Sequence, residues 1–108
     1  MIKITFNVKD DFIKRIEIKG HSGFEEFGKD VICASISTLT LNTINALEDY
    51  INLKTNAEIE DGYTCFEIPT GSKTQNIQSD ALTKAFLISA KGIEEEYPKF
   101  LKVKITEE

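Results

Sequence analysis

Apolar side chains return at every second residue at the start of this chain. Ile2, Ile4, Phe6 and Val8 fall on one face, and Lys3, Thr5 and Asn7 fall on the other. That alternation predicts a strand with one wet face. The run "FIKRIEIKG" repeats it less cleanly, with Phe12, Ile16 and Ile18 on the apolar face and Lys14 as an interruption. Asp10 and Asp11 between the two runs supply turn chemistry, so together they read as a hairpin. "AEIEDGYTCFEIP" reads as a second hairpin, with Asp61-Gly62 as a two-residue primed turn. "FLKVKIT" adds a last strand carrying Leu101, Val103 and Ile105.

Between these runs the period changes. Ile32, Ile36, Leu39, Thr43, Leu47 and Ile51 recur at helical spacing, with Ala46 and Tyr50 widening the stripe. Asp30 is placed to cap this helix, because its carboxylate can accept from free first-turn amides. "SDALTKAFLISAKGIEEEY" predicts a second helix capped by Ser79 or Asp80, with Leu82, Phe86, Ser89 and Ile93 on its face and Pro98 as its stop. The segment Ser22 to Gly28 is too polar and too broken by glycine for a regular element. The order is ββαββαβ, which predicts an α+β fold: a two-layer α/β sandwich with a mostly antiparallel sheet covered by two helices. Residues 1–108 read as a single domain.

Composition removes several functions. A chain of 108 residues with net charge −5 is a poor partner for nucleic acid, which demands clustered lysine and arginine. No apolar run approaches the roughly 20 residues of a membrane helix. "MIKITFNVKDD" alternates and does not resemble a signal peptide, so a cytoplasmic location is expected. Two cysteines and one histidine cannot build a zinc site without carboxylates, and neither CxxC nor HxxxH spacing occurs. We therefore expect no metal, no cofactor, no membrane partner and no disulfide framework.

The chemistry that remains is thiol chemistry. His21 follows the second predicted strand, and Cys33 falls on the expected first turn of the first helix. Free amides there favour an anion and lower a thiol pKa, and a neighbouring imidazole can take the thiol proton. The same free amides can donate to an oxyanion. The plain alternative is a small buried cysteine and a solvated histidine. Residue types alone leave both open. Cys65, in a strand on the face of Tyr63 and Glu67, has no helix end or second histidine to activate it and reads as structural or interfacial.

"GHSGFEEFGKDVICASISTLTLNTINAL" resembles the signature of the ribosomal-processing cysteine protease family, Prp. Gly20-His21, Gly28, Asp30, Cys33-Ala34 and Ser37 fall on that pattern without a gap. The resemblance implies a Cys–His endopeptidase, with Cys33 as nucleophile and His21 as general base and acid. It implies removal of an N-terminal extension from ribosomal protein L27 after paired aromatics, with lysines nearby, by a homodimer. Asp30 then either orients His21 or only caps the helix, roles that can coexist. Ser37, one turn beyond Cys33, either supports the site or lets the helix pack closely. The loop of Ser22, Gly23, Phe24, Glu25, Glu26, Phe27 and Gly28 reads as a flap hinged at its glycines. In that reading its phenylalanines meet substrate aromatics and its glutamates meet lysines. A solvated surface loop is the alternative. Two other functions stand beside the protease: a non-catalytic binding module for a basic ribosomal-protein segment, and a redox-sensing thiol.

Overall fold

The first hairpin forms as expected from β1 (Ile2–Lys9) and β2 (Phe12–Lys19). It is seen in a computed structural model that describes residues 1–20 and 27–108, and the side chains of 1–20 and 31–108. Asp10 and Asp11 take φ values of 51° and 69°, the left-handed pair that a type I′ turn requires. The interruption at Lys14 is a β-bulge: pairing steps from Asn7–Arg15 to Val8–Ile13 and skips Lys14. A bulge adds one residue and reverses the inside–outside phase beyond it. Ile16 and Ile13 are therefore both buried, and Phe12 turns outward, contrary to its expected place on the apolar face with Ile16 and Ile18. Its ring lies 5.9 Å below the Lys84 ammonium.

β3 (Glu58–Glu60) and β4 (Tyr63–Glu67) make the second hairpin, and β5 (Leu101–Glu107) closes the chain. The five strands form one sheet in the order β3-β4-β2-β1-β5. Only β1 and β5 run parallel; the other three neighbouring pairs are antiparallel, so the sheet is mixed but mostly antiparallel.

Two helices, α1 (Phe27–Asn45) and α2 (Lys73–Glu96), cover one face of this sheet. Ile2, Ile4 and Phe6 of β1, Ile16 of β2 and Phe66 of β4 pack there against Ile32, Ile36 and Leu47 from the first helical segment and Phe86 and Ala90 of α2. Phe6 and Phe86 meet edge to face, with ring centroids 5.6 Å apart. That geometry suits the aromatic quadrupole. The opposite sheet face is polar, as the alternation predicts.

α1 begins at Phe27, earlier than its apolar stripe implied. Asp30 therefore lies inside the helix and not at its cap, and Phe27 and Gly28 are helical and not part of a hinged loop. Thr40 and Thr43 are buried on α1 because their hydroxyls donate to the carbonyls of Ile36 and Leu39, both at 2.7 Å. The helix ends in a π turn, Ala46–Tyr50, closed by the Ile51 amide on the Ala46 carbonyl. The extra residue per turn rotates Tyr50 out to solvent, so it does not widen the buried stripe as the 3.6 period predicts.

α2 also starts earlier than expected. Ser72 and Gln75 form a reciprocal capping box, while Ser79 is buried mid-helix. Thr83 and Ala90, and not Ser89, line its inner face. Replacing Ser72 with alanine should cost about 1 kcal/mol in urea unfolding. A helix capped at Ser79 or Asp80 would show no such loss.

Candidate active site

β2 ends at Lys19, and Gly20 carries the chain off the sheet at φ 117°, a conformation that favours glycine. A side chain at Gly20 would also overlap the Met1 carbonyl oxygen. The Gly20 amide donates to the Gly62 carbonyl at 2.9 Å, tying the end of β2 to the tip of the β3–β4 hairpin. Gly62 itself takes φ 74°, which lets the hairpin reverse there.

Across from this point stands one face of α1. Cys33, Ser37 and Leu41 repeat every four residues along it and border a single cavity of about 390 Å³. The opposite wall comes from Ile18, Gly20 and the hairpin segment Ile59 to Thr64. Cys33 is half-buried and unpaired, its inner side packed on the core. It is thus held by packing yet opens onto a space large enough for substrate groups. The hydroxyls of Ser35, Thr38, Thr40 and Thr43 bond back to helix carbonyls. Ser37 is exposed and faces the cavity, so its hydroxyl is placed to meet a ligand.

Because α1 begins at Phe27, Cys33 occupies its second turn and not the first. The free amides that favour an anion belong to the start of the helix, at least a turn before Cys33. A substrate carbonyl at Cys33 would have to lie toward that end of the helix to reach them.

The second cysteine lies on the other side of the sheet. Cys65 is buried under the polar face, where it pairs across from Glu17. The Tyr63 hydroxyl donates to Glu17 at 3.1 Å, and Arg15 and Lys19 approach the same carboxylate at 3.4 and 3.5 Å. Burial pushes the Glu17 carboxyl up, but the Tyr63 hydroxyl, Lys19 and Arg15 outweigh it and hold it below the ordinary 4.5. Hydrogen bonding with Cys65, burial and the bond to Glu17 all retain the Tyr63 proton, pushing the phenol up to about 12. This network accounts for Cys65 as a structural residue.

The fold therefore brings Gly20, Cys33 and Ser37 to one cavity. His21 and the loop residues Ser22, Gly23, Phe24, Glu25 and Glu26 lie outside the described residues, as do the side chains of Phe27, Gly28 and Asp30. Among the described residues, no group of three His, Cys, Asp or Glu side chains could hold a metal ion. Among them, too, no helix is long and apolar enough to cross a membrane. Leu41, Ile59 and the hairpin tip were missed by the sequence reading. Leu41 shares the helix face of Cys33 and was findable by spacing. Ile59 joins only through strand pairing.

Comparison with known proteins points the same way. The family model described as cysteine protease Prp matches residues 1–102. A protein of Bacillus subtilis (strain 168) named ribosomal processing cysteine protease Prp is 28% identical over 107 residues, covering 95% of this chain and 96% of its own. The crystal structure of SMU.848 from Streptococcus mutans superposes with a TM-score of 0.89 at 30% identity, covering 100% of this chain and 96% of that one. A ribosomal processing protease Prp from S. aureus, crystallised with a substrate peptide, shares the fold at TM-score 0.84 and 22% identity, over 98% of this chain and 100% of that one.

Two outcomes follow from the geometry. Gly20→Ala should destabilise the protein by about 1–3 kcal/mol in chemical denaturation, since strain at φ 117° is added to the clash with Met1. For Tyr63, the folded pKa of about 12 exceeds the ordinary 10.0, so its contribution to stability is intact below pH 10.0 and is lost as pH rises toward 12. Absorbance of tyrosinate should show a late phase near pH 12 that disappears in Tyr63→Phe.

Proposed function

Since this chain belongs to the cysteine protease Prp family, we propose that Cys33 is its nucleophile and His21 its general base and acid. The observation that carries this reading is the convergence of Gly20, Cys33 and Ser37 on one cavity, with His21 next in sequence to Gly20. His21 takes the Cys33 thiol proton, and the thiolate attacks the scissile carbonyl carbon. Collapse of the tetrahedral oxyanion breaks the C–N bond, and the imidazolium protonates the departing amine. Water, deprotonated by His21, then hydrolyses the thioester and returns the enzyme. Free amides at the start of α1 donate to the oxyanion. Asp30, ahead of Cys33 on α1, orients His21, and Ser37, one turn beyond Cys33, steadies the bound peptide.

The substrate is the N-terminal extension of ribosomal protein L27, cut after an aromatic pair. Two things support it: the motif resemblance, and the S. aureus relative, a ribosomal processing protease crystallised with its substrate peptide. The segment Ser22 to Gly28 takes part in binding that peptide, and the enzyme works in the cytoplasm as a homodimer. Membership in a protease family sets aside the binding-module alternative.

A peptide spanning the L27 extension should be cut once, after the aromatic pair. Cys33→Ala should abolish cutting, and His21→Ala should slow it about 10²- to 10⁴-fold. Cys65→Ala should retain activity, because Cys65 lies on the far sheet face. Undiminished cleavage by Cys33→Ala would overturn the nucleophile assignment. Iodoacetamide should also alkylate Cys33 below pH 8 in the native chain, as an activated thiol requires.

A further inference from the structure

The sheet face turned away from the helices carries a charge pattern of its own. Ile2 and Ile18 line the thiol cavity, and their neighbours Lys3 and Lys19 project from the opposite face, since successive strand residues alternate. Pairing across three strands sets Lys102, Lys3 and Lys19 in one row, with Lys3 the partner of both others. Adjacent strands lie about 4.8 Å apart, so the row spans about 10 Å. Lys104 stands one row further along β5, opposite Thr5 and about 7 Å from Lys102. All four lysines are exposed.

Like charges directly opposite one another destabilise a sheet. Lys19 approaches Glu17 at 3.5 Å, a carboxylate already shared with Arg15 and Tyr63. Among the described residues, Lys3, Lys102 and Lys104 enter no ion pair. The other acids of this face gather at its far side, Glu58 and Glu60 on β3 and Glu67 on β4. Three strand spacings, about 14 Å, separate Glu60 from Lys3, which exceeds the screening length of about 10 Å at about 0.1 M salt. A net charge of −5 thus conceals a local cationic patch, to which β1, β2 and β5 each contribute.

We propose that this patch is a docking surface for the phosphate backbone of RNA. An open sheet face has no pit to enclose a small anion, whereas an extended polyanion can lie across it. Three lysines across the strands and a fourth along β5 offer contacts to successive phosphates. The choice of RNA rests on the reading above that the substrate is a ribosomal protein, a class whose native partner is RNA. Because the patch is on the far side of the sheet from Cys33, RNA held there leaves the thiol cavity open to the peptide.

The test titrates a fluorescein-labelled oligouridylate with the full chain and follows anisotropy. Four contacts to a single strand give a slope of about −3 for log K against log salt, so binding should weaken about 50-fold between about 50 and 200 mM salt. Lys3→Gln combined with Lys102→Gln should lower affinity about tenfold at the lower salt and roughly halve the slope. Lys104→Gln alone should reduce the slope by about 0.7, and Lys91→Gln on α2 should leave it unchanged. Relief of cross-strand repulsion should keep the double variant's melting temperature at or above that of wild type, so lost binding is not lost fold. Absence of binding at about 50 mM salt, or an unchanged slope in both the double variant and Lys104→Gln, would sink the surface. Equal competition by poly-glutamate would rule out RNA as the occupant, and so would dissociation of the homodimer by the double variant. Both variants should cut the free L27 peptide as wild type does. Failure of wild type to cut that peptide while still binding the oligouridylate would count against the substrate reading and leave the surface standing, so the two failures are distinguishable.

Discussion

One apolar sheet face, covered by two helices from the same side, is the constraint on which everything else rests. β1 sits inside the sheet with antiparallel β2 on one flank and parallel β5 on the other, and its inward residues Ile4 and Phe6 are fully buried. Burying such side chains contributes roughly 1.5–3 kcal/mol each, far more than the exposed charge pairs on the opposite face. The helices must therefore lie where that face demands, and α2 does so through the Phe6–Phe86 contact.

The site is a by-product of that arrangement. Two helices cover the middle of the sheet, but the sheet continues outward through β4 to β3. The space between α1 and this outlying hairpin is the cavity. α1 has to present Ile32 and Ile36 to the core, which turns Cys33 and Ser37 toward the gap. The same packing that buries the helix stripe thus aims the thiol, and no separate device is needed. Gly20 then keeps the hairpin from drifting, since its amide is bonded to the hairpin tip and its position tolerates no side chain.

Much of this was legible in the residues. Strand alternation, the glycine-bounded turn and the helical stripes each follow from local periodicity, and the order ββαββαβ came through intact. What failed were places where one residue more or less changes the phase. Lys14 as a bulge turned Phe12 outward, and the π turn after Asn45 turned Tyr50 outward. Helix starts failed for another reason: Ser72 caps α2 through Gln75 ahead of any apolar residue that would have marked the stripe. α1 is likewise already helical at Phe27, before the stripe begins.

The sequence by itself determined the element order, the two-layer class and the motif residues, because these depend on side-chain period and on neighbours close in the chain. It also singled out Cys33 over Cys65, since only Cys33 lies near a helix start and the single histidine. Tertiary structure alone decided which residues share the cavity. Ile18, Cys33 and Ile59 are far apart in sequence and meet only because antiparallel pairing places β3 and β2 on either side of β4. It decided as well that Cys33 sits one turn deeper in α1 than the stripe implied. Strand partners and helix starts are set by contacts across the fold, which no local pattern records.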